Sequence, residues 1–189
     1  EEMFINELFN INLGSWGEKS WWQKKIRSST LYSYNYDLNL LSEHREFFKK
    51  LPIYIEFPDI TNENGDFLVV SHSSVSSHLN RYKGLLKISD NKKDKNLLEE
   101  ISDIEDFFSW NKDIKIISGI NNNYYNVFGH ITIPFSDIDD RNKIVNDIYI
   151  DNLNKFACID SGRVYGKSLT ALEFPSMKIY QQKNIENKI

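Results

Sequence analysis

The sequence predicts a protein of mixed helix and strand, of the α+β or mixed α/β class. Apolar residues at helical spacing occupy residues 1–50, and short apolar runs bounded by turn residues follow between Ile53 and Phe174. One further helical pattern, from Leu97 to Trp110, interrupts the strand-rich part. Because helices and strands come in blocks, a regular βαβ alternation is not expected.

Composition indicates a globular chain without a basic surface. The 189 residues are 40% hydrophobic and 14% aromatic, which is enough apolar material for a buried core. The net charge of −4 favours neither a nucleic-acid duplex nor an anionic membrane as partner. Cys158 is the single cysteine, which excludes an intrachain disulfide. With no signal peptide or membrane-length apolar run, we expect one cytoplasmic domain over residues 1–189.

The helical part contains three predicted segments. Apolar periodicity predicts helices over residues 3–11, 16–26 and 38–50, and Pro52 ends the third. In that third helix we expect four apolar side chains to face inward, namely Leu40, Leu41, Phe47 and Phe48.

The strand-rich part begins with a predicted hairpin. Residues 53–55 and 67–70 flank the turn 62–66, in which Gly65 supplies a positive φ. Further strands are predicted at three places, residues 125–128, 157–159 and 169–174. Two polar stretches are interpreted as loops, residues 75–96 and 136–154.

Two histidines follow predicted strands in the same way. His72 comes just after the strand 67–70, and His130 comes just after the strand 125–128. The carboxyl edge of an open sheet is where such folds bind ligands, and neutral imidazoles ligate zinc, iron or manganese. The pattern therefore indicates either that both side chains share one metal ion or that two unrelated histidines bond to backbone.

Other candidate residues favour structural roles. Asp160 follows a third strand and could be a ligand or base, but we favour a turn-shaping residue that accepts backbone N–H bonds. His44 lies on a charged helix and His78 in a serine-rich loop, so both are interpreted as surface residues. Cys158, in an apolar strand, is interpreted as packed core rather than as a nucleophile.

Three segments resemble motifs of the calcineurin-like metallophosphoesterases. Residues 70–75 (VSHSSV) resemble the V-x-H-A/G-G motif of phosphoprotein phosphatases, and residues 127–132 (VFGHIT) resemble their V-F-G-H-T motif. Residues 159–172 (IDSGRVYGKSLTAL) closely resemble the I-D-T-G-x-V-Y-G-G-x-L-T-A-L block of bacterial serine/threonine phosphatases and symmetrical diadenosine tetraphosphatases. Thr132, where other branches carry a second histidine, fits the phosphoprotein branch. The resemblance spans residues 1–180.

The resemblance implies a four-layer α/β/β/α sandwich with two divalent metal ions, manganese, iron or zinc, at the sheet edge. His72 and His130 would ligate the same ion. Trp110 to Asp113 resemble a W-x-R segment whose arginine binds the phosphoryl group, and Lys112 stands in that place without the bidentate fork of arginine. Lys112 is therefore either a phosphate-binding residue or a solvated charge after a helix. Tyr165 would border the substrate cleft or, alternatively, be a packed hairpin tyrosine.

The activity that the resemblance implies is metal-dependent phosphoester hydrolysis of the protein-serine/threonine phosphatase type, in which two metals activate a hydroxide for attack on phosphorus. The family's N-terminal motifs are G-D-x-H-G, G-D-x-x-D-R-G and G-N-H-E. None is complete in this chain, and Glu1 matches the last residue of the third. We therefore expect the C-terminal part of such an enzyme, inactive by itself, with the general acid upstream of Glu1.

Two alternatives stay open beside this interpretation. One is a dinucleoside tetraphosphate hydrolase, and the other is a non-catalytic binding module that has lost its N-terminal ligands. The serines at 73 and 74 and the lysine at 112 depart from the family pattern and would fit the binding module. The expected partner is a phosphorylated substrate, either phosphoprotein or nucleotide, selected by the predicted loops 75–96 and 136–154.

Overall fold

The computed structural model describes helices, a mixed sheet and a two-stranded hairpin. The described residues are 37–48, 50–75, 77–90, 94–112, 123–138 and 140–183. The predicted helices at 3–11 and 16–26 lie outside them. The chain divides into two compact units, Glu1–Pro52 and Ile53–Ile189, and the single domain over residues 1–189 stays a prediction.

Helix α1 of the first unit spans Leu38–Phe48, which confirms the predicted third helix. Asp37 precedes it, and its Oδ1 accepts the N–H groups of Asn39 and Leu40, both at 3.0 Å, as a helix-capping carboxylate does. The predicted inward positions of Leu40 and Phe47 are wrong, since Leu40 exposes 39% of its surface to solvent and Phe47 exposes 59%.

The second unit is built on a six-stranded mixed sheet. Its strands are β1 (Tyr54–Thr61), β2 (Phe67–Ser71), β3 (Tyr124–Phe128), β4 (Ile144–Val145), β5 (Ile148–Asp151) and β6 (Phe156–Cys158). They lie in the order β1-β2-β3-β6-β5-β4. Strand β3 is parallel to β2 and β6, and the other pairs are antiparallel. The predicted mixture of helix and strand is therefore confirmed.

The β1–β2 hairpin forms where the sequence predicts it. Gly65 has φ +79°, and Asn62 Oδ1 accepts the N–H groups of Asn64 at 3.0 Å and Asp66 at 2.9 Å. The carboxylate of Asp66 is buried and pairs with Lys155 Nζ at 2.7 Å. This ion pair fastens the hairpin to the turn between β5 and β6.

Two helices cover one face of the sheet. Helix α2 (Leu79–Ser89) lies inside the stretch 75–96 that the sequence suggests is loop, so that interpretation is wrong. Helix α3 (Lys95–Trp110) is the predicted one, and the Asp94 carboxylate caps it by accepting the N–H of Asn96 at 3.0 Å. The two helices pack together through Tyr82 and Phe108, whose ring centroids are 5.3 Å apart.

The opposite face is covered by a hairpin of strands β7 (Leu169–Glu173) and β8 (Lys178–Gln182). Its Leu172 packs against a cluster that contains Tyr125 and Val127. Every residue of β3 is buried, because both faces of the sheet are covered at this strand. Strands β4 and β5 lie in the stretch 136–154, so the prediction of a continuous loop there is wrong as well.

No helix among the described residues is long and apolar enough to span a membrane.

Candidate functional site

The parallel pairing of β2 and β3 brings the two histidines together. Ser71 lies opposite Phe128 at the carboxyl ends of these strands. His72 and His130 follow directly, so both leave the sheet at the same edge. Their ring centroids are 4.7 Å apart, and Nε2 of His72 lies 2.9 Å from Nδ1 of His130. The structure thus places the predicted pair in direct contact, and shared ligation of a metal stays a prediction.

The backbone at the second histidine is strained. His130 has φ +66°, in the left-handed region that residues other than glycine rarely adopt. The N–H of the preceding Gly129 donates to the carbonyl of His72 at 3.0 Å, and this bond joins the two loops. Strain of this kind is concentrated at functional sites, because the surrounding structure must hold it in place.

The cost of this conformation can be measured with two variants that both lack the imidazole. His130→Gly is expected to be more stable than His130→Ala by about 1 kcal/mol, since alanine keeps the left-handed penalty and glycine does not. Urea denaturation of the two variants gives the difference. Equal stabilities would show that the positive φ at residue 130 is not held at a cost.

The surroundings of His130 favour its neutral form. Burial lowers the pKa of His130, and the nearby charges of His72 and Lys112 lower this pKa further. The Asp160 carboxylate and the Trp110 backbone act in the opposite direction on the same pKa. Nε2 of His130 is buried without a hydrogen bond of good geometry to a described residue. A neutral imidazole is the form that binds a metal ion.

The two ring nitrogens are close enough to become ligands of one metal ion after a small movement. Imidazole nitrogen binds zinc at about 2.0–2.1 Å, so two ligands of a tetrahedral ion lie roughly 3.3 Å apart. The observed separation is 2.9 Å, a hydrogen-bond distance between the two rings. Within the part of the chain that the structure describes, no group of three or more His, Cys, Asp or Glu side chains could hold a metal. Metal binding by His72 and His130 therefore stays a prediction.

Lys112 and Trp110 reach this site from the end of helix α3. The Trp110 ring stands edge-on to the ring of His130, with centroids 6.0 Å apart. Lys112 is exposed, and its charge is near enough to influence the pKa of His130. Its placement beside the histidine pair is compatible with both interpretations of this lysine.

Tyr165 lies on the loop that follows strand β6 and the turn at Asp160. It ends a short 3-10 turn (Arg163–Tyr165) and is 65% exposed, so the alternative of a packed hairpin tyrosine is wrong. Its ring meets that of Phe135 edge-on, with centroids 5.4 Å apart.

Asp160 shapes the turn, as the sequence favours. Its Oδ1 accepts the N–H of Gly162 at 3.0 Å, and its Oδ2 accepts the hydroxyl of Thr132 at 3.3 Å. Gly162 has φ +80°, which completes the turn. These bonds connect the loop that carries His130 to the loop that carries Tyr165.

The remaining candidates lie outside the pair. His44 is exposed on α1, as predicted. His78 is half-buried rather than a surface residue, because its ring packs against Phe107 with centroids 4.4 Å apart, and burial lowers its pKa. Cys158 is packed core, as predicted: burial raises the pKa of its thiol to about 12, so it stays protonated at neutral pH.

The fold and site define a mixed α+β unit with a histidine pair at the carboxyl edge of two parallel strands. Comparisons of this chain with models of protein families, with curated proteins and with solved structures found no match.

Proposed function

We propose that the chain is the C-terminal part of a calcineurin-like metallophosphoesterase, a phosphoester hydrolase of the phosphoprotein phosphatase type that uses two divalent metal ions. The observation that carries the proposal is the 2.9 Å contact between Nε2 of His72 and Nδ1 of His130. The two histidines come from separate motifs that resemble those of this family.

The arrangement of layers supports the same proposal. Helices α2 and α3 cover one face of the six-stranded sheet, and the β7–β8 hairpin covers the other at its centre. We propose that this is part of a four-layer α/β/β/α sandwich. A cytoplasmic location belongs to the proposal too, and the single cysteine, Cys158, suits a reducing compartment.

Each residue of the site has a separate task. His72 and His130 would hold one metal ion, and burial keeps the latter neutral for this purpose. When bound, two manganese, iron or zinc ions would lower the pKa of a water molecule and neutralise charge on the phosphate. Lys112, exposed beside the pair, would neutralise a phosphate oxygen.

The loop that carries Tyr165 would contact the rest of the substrate. Tyr165 and Phe135 are both largely exposed, at 65% and 60%, and Lys167 Nζ lies 5.8 Å from the centroid of the Phe135 ring. Aromatic rings beside a cation suit a phosphorylated substrate with a planar or apolar neighbouring group. We propose a phosphoprotein as the substrate, with a nucleotide as the second candidate.

Metal removal tests the proposal. In the full-length protein, treatment with a chelator is expected to abolish hydrolysis of p-nitrophenyl phosphate, because the activated water depends on the metals. Added Mn²⁺ is expected to restore hydrolysis, with two ions bound per chain by elemental analysis. Chelator-resistant hydrolysis would contradict the proposal. A protein that binds no metal and has no family motifs before Glu1 would instead be a binding module.

A further inference from the structure

Asn126 is a fully buried amide in the middle of strand β3. Its Nδ2 donates to Ser71 Oγ at 2.9 Å and to the carbonyl of Val69 at 3.3 Å. Its Oδ1 accepts the N–H of Val75 at 3.0 Å. Because a backbone N–H can only donate, this last bond fixes which end of the amide faces the loop. Asn126 therefore forms hydrogen bonds with the chain on both sides of His72.

The same hydrogen bonds continue to the end of helix α3. The hydroxyl of Ser71 donates to the carbonyl of Ser73 at 2.6 Å. The hydroxyl of Ser73, itself fully buried, donates to the carbonyl of Phe108 in the last turn of α3. That turn leads directly to Trp110 and Lys112. One buried polar chain thus connects β3, the loop of the first histidine, and the segment that carries the candidate phosphate-binding lysine.

We infer that Asn126 is a positioning residue, which holds Nε2 of His72 against Nδ1 of His130 by acting through Ser71 and Val75. An apolar side chain of similar size could fill the space but could not bond both ends of the loop. Groups that orient metal ligands in this way typically change metal affinity about 10–100-fold when they are removed. The effect on metal binding rests on the proposed function, whereas the effect on the histidine contact does not.

Ser73 departs from the family motif at a position that takes part in these hydrogen bonds. Where that motif has alanine or glycine, this chain has Ser73, and its hydroxyl ties the loop to α3. The departure is thus part of the hydrogen-bonded chain that begins at Asn126.

The adjacent residue of β3 provides a matched control. Tyr125 is also buried, and its hydroxyl bonds to Asn152 Oδ1 at 2.9 Å and to the carbonyl of Phe156 at 3.1 Å. These bonds lie on the other face of the sheet and do not involve the histidine loops. Tyr125→Phe therefore removes buried hydrogen bonds from the same strand without touching the chain of bonds to His72.

The test measures the histidine contact itself. In metal-free, nitrogen-15-labelled protein, the scalar coupling across the hydrogen bond between His72 Nε2 and His130 Nδ1 is expected in the wild type and in Tyr125→Phe. It is expected to be absent in Asn126→Ala and in Ser71→Ala, and Ser71→Thr, which keeps the hydroxyl, should retain it. By calorimetry, Zn²⁺ affinity is expected to fall about 10–100-fold in the two alanine variants and to stay near wild type in the control.

Retention of the coupling in both alanine variants, or its equal loss in Tyr125→Phe, would overturn the inference, as would its absence from the wild type. If Asn126→Ala does not fold, Ser71→Ala decides, because Ser71 is only half-buried and loses a single hydroxyl. A full-length wild-type protein that shows the coupling without metal but binds no Zn²⁺ would contradict the proposed function. The coupling in the variants would then decide the positioning role by itself.

Discussion

Replacing His130 by alanine in the full-length protein is expected to abolish the metal-dependent hydrolysis of p-nitrophenyl phosphate that we propose. The variant removes one of two ring nitrogens that meet at 2.9 Å, and His72 alone cannot hold the ion in the same place. A metal supplies several kcal/mol of transition-state stabilisation, so a loss of about 4 kcal/mol, or roughly a thousandfold in kcat, is the expected scale. Steady-state rates at saturating Mn²⁺, with metal content measured in parallel, provide the test.

Two comparisons make this prediction specific. His78→Ala removes a half-buried histidine that packs on Phe107 outside the pair, and its rate is expected to stay near wild type. His72→Ala should resemble His130→Ala. The double variant should be no slower than either single one, because both residues serve one ion and their effects cannot add. Near-wild-type activity of His130→Ala, or a multiplied loss in the double variant, would contradict the shared metal.

Sequence patterns predicted those elements that a short stretch of residues is sufficient to identify. The turn at Gly65 and the apolar face of α3 are of this kind, since a turn residue or a helical period is sufficient to identify them. Helix α2 was missed because its buried Leu79 and Tyr82 stand among serine, asparagine and lysine, with Gly84 in the middle. Strand β8 is largely exposed and polar, and it exists because it pairs with β7, which no local pattern shows.

The sequence predicted that the two histidines lie at one sheet edge, but not the atomic geometry of their contact. Parallel strands end at one edge, so the nearness of His72 and His130 follows from the positions of two short strands. Their register, the choice of ring nitrogens and the positive φ of His130 depend on packing between distant segments. The structural role of Asn126 could have been predicted from the sequence. A polar amide inside the apolar run YYNVF must find partners, and those partners position the loop.

Lys112 provides the second large expected effect. Lys112→Ala is expected to lower kcat/KM about 10–100-fold, because a hydrogen bond to a charged group contributes about 1.5–3 kcal/mol. The lysine is exposed just after α3, and its charge is near enough to lower the pKa of His130, so under the proposed function it would neutralise a phosphate oxygen at this site. Initial rates with p-nitrophenyl phosphate at several substrate concentrations separate an effect on kcat from an effect on KM.

Substitution by arginine distinguishes the two interpretations of this lysine. If Lys112 binds phosphate, Lys112→Arg should match or exceed the wild-type rate, since the planar fork of arginine can bond two phosphate oxygens at once. The matched control is Lys95→Ala, at the other end of α3, where an exposed lysine pairs only loosely with Glu99 at 3.4 Å. If Lys112→Ala behaves like this control, Lys112 is a solvated charge.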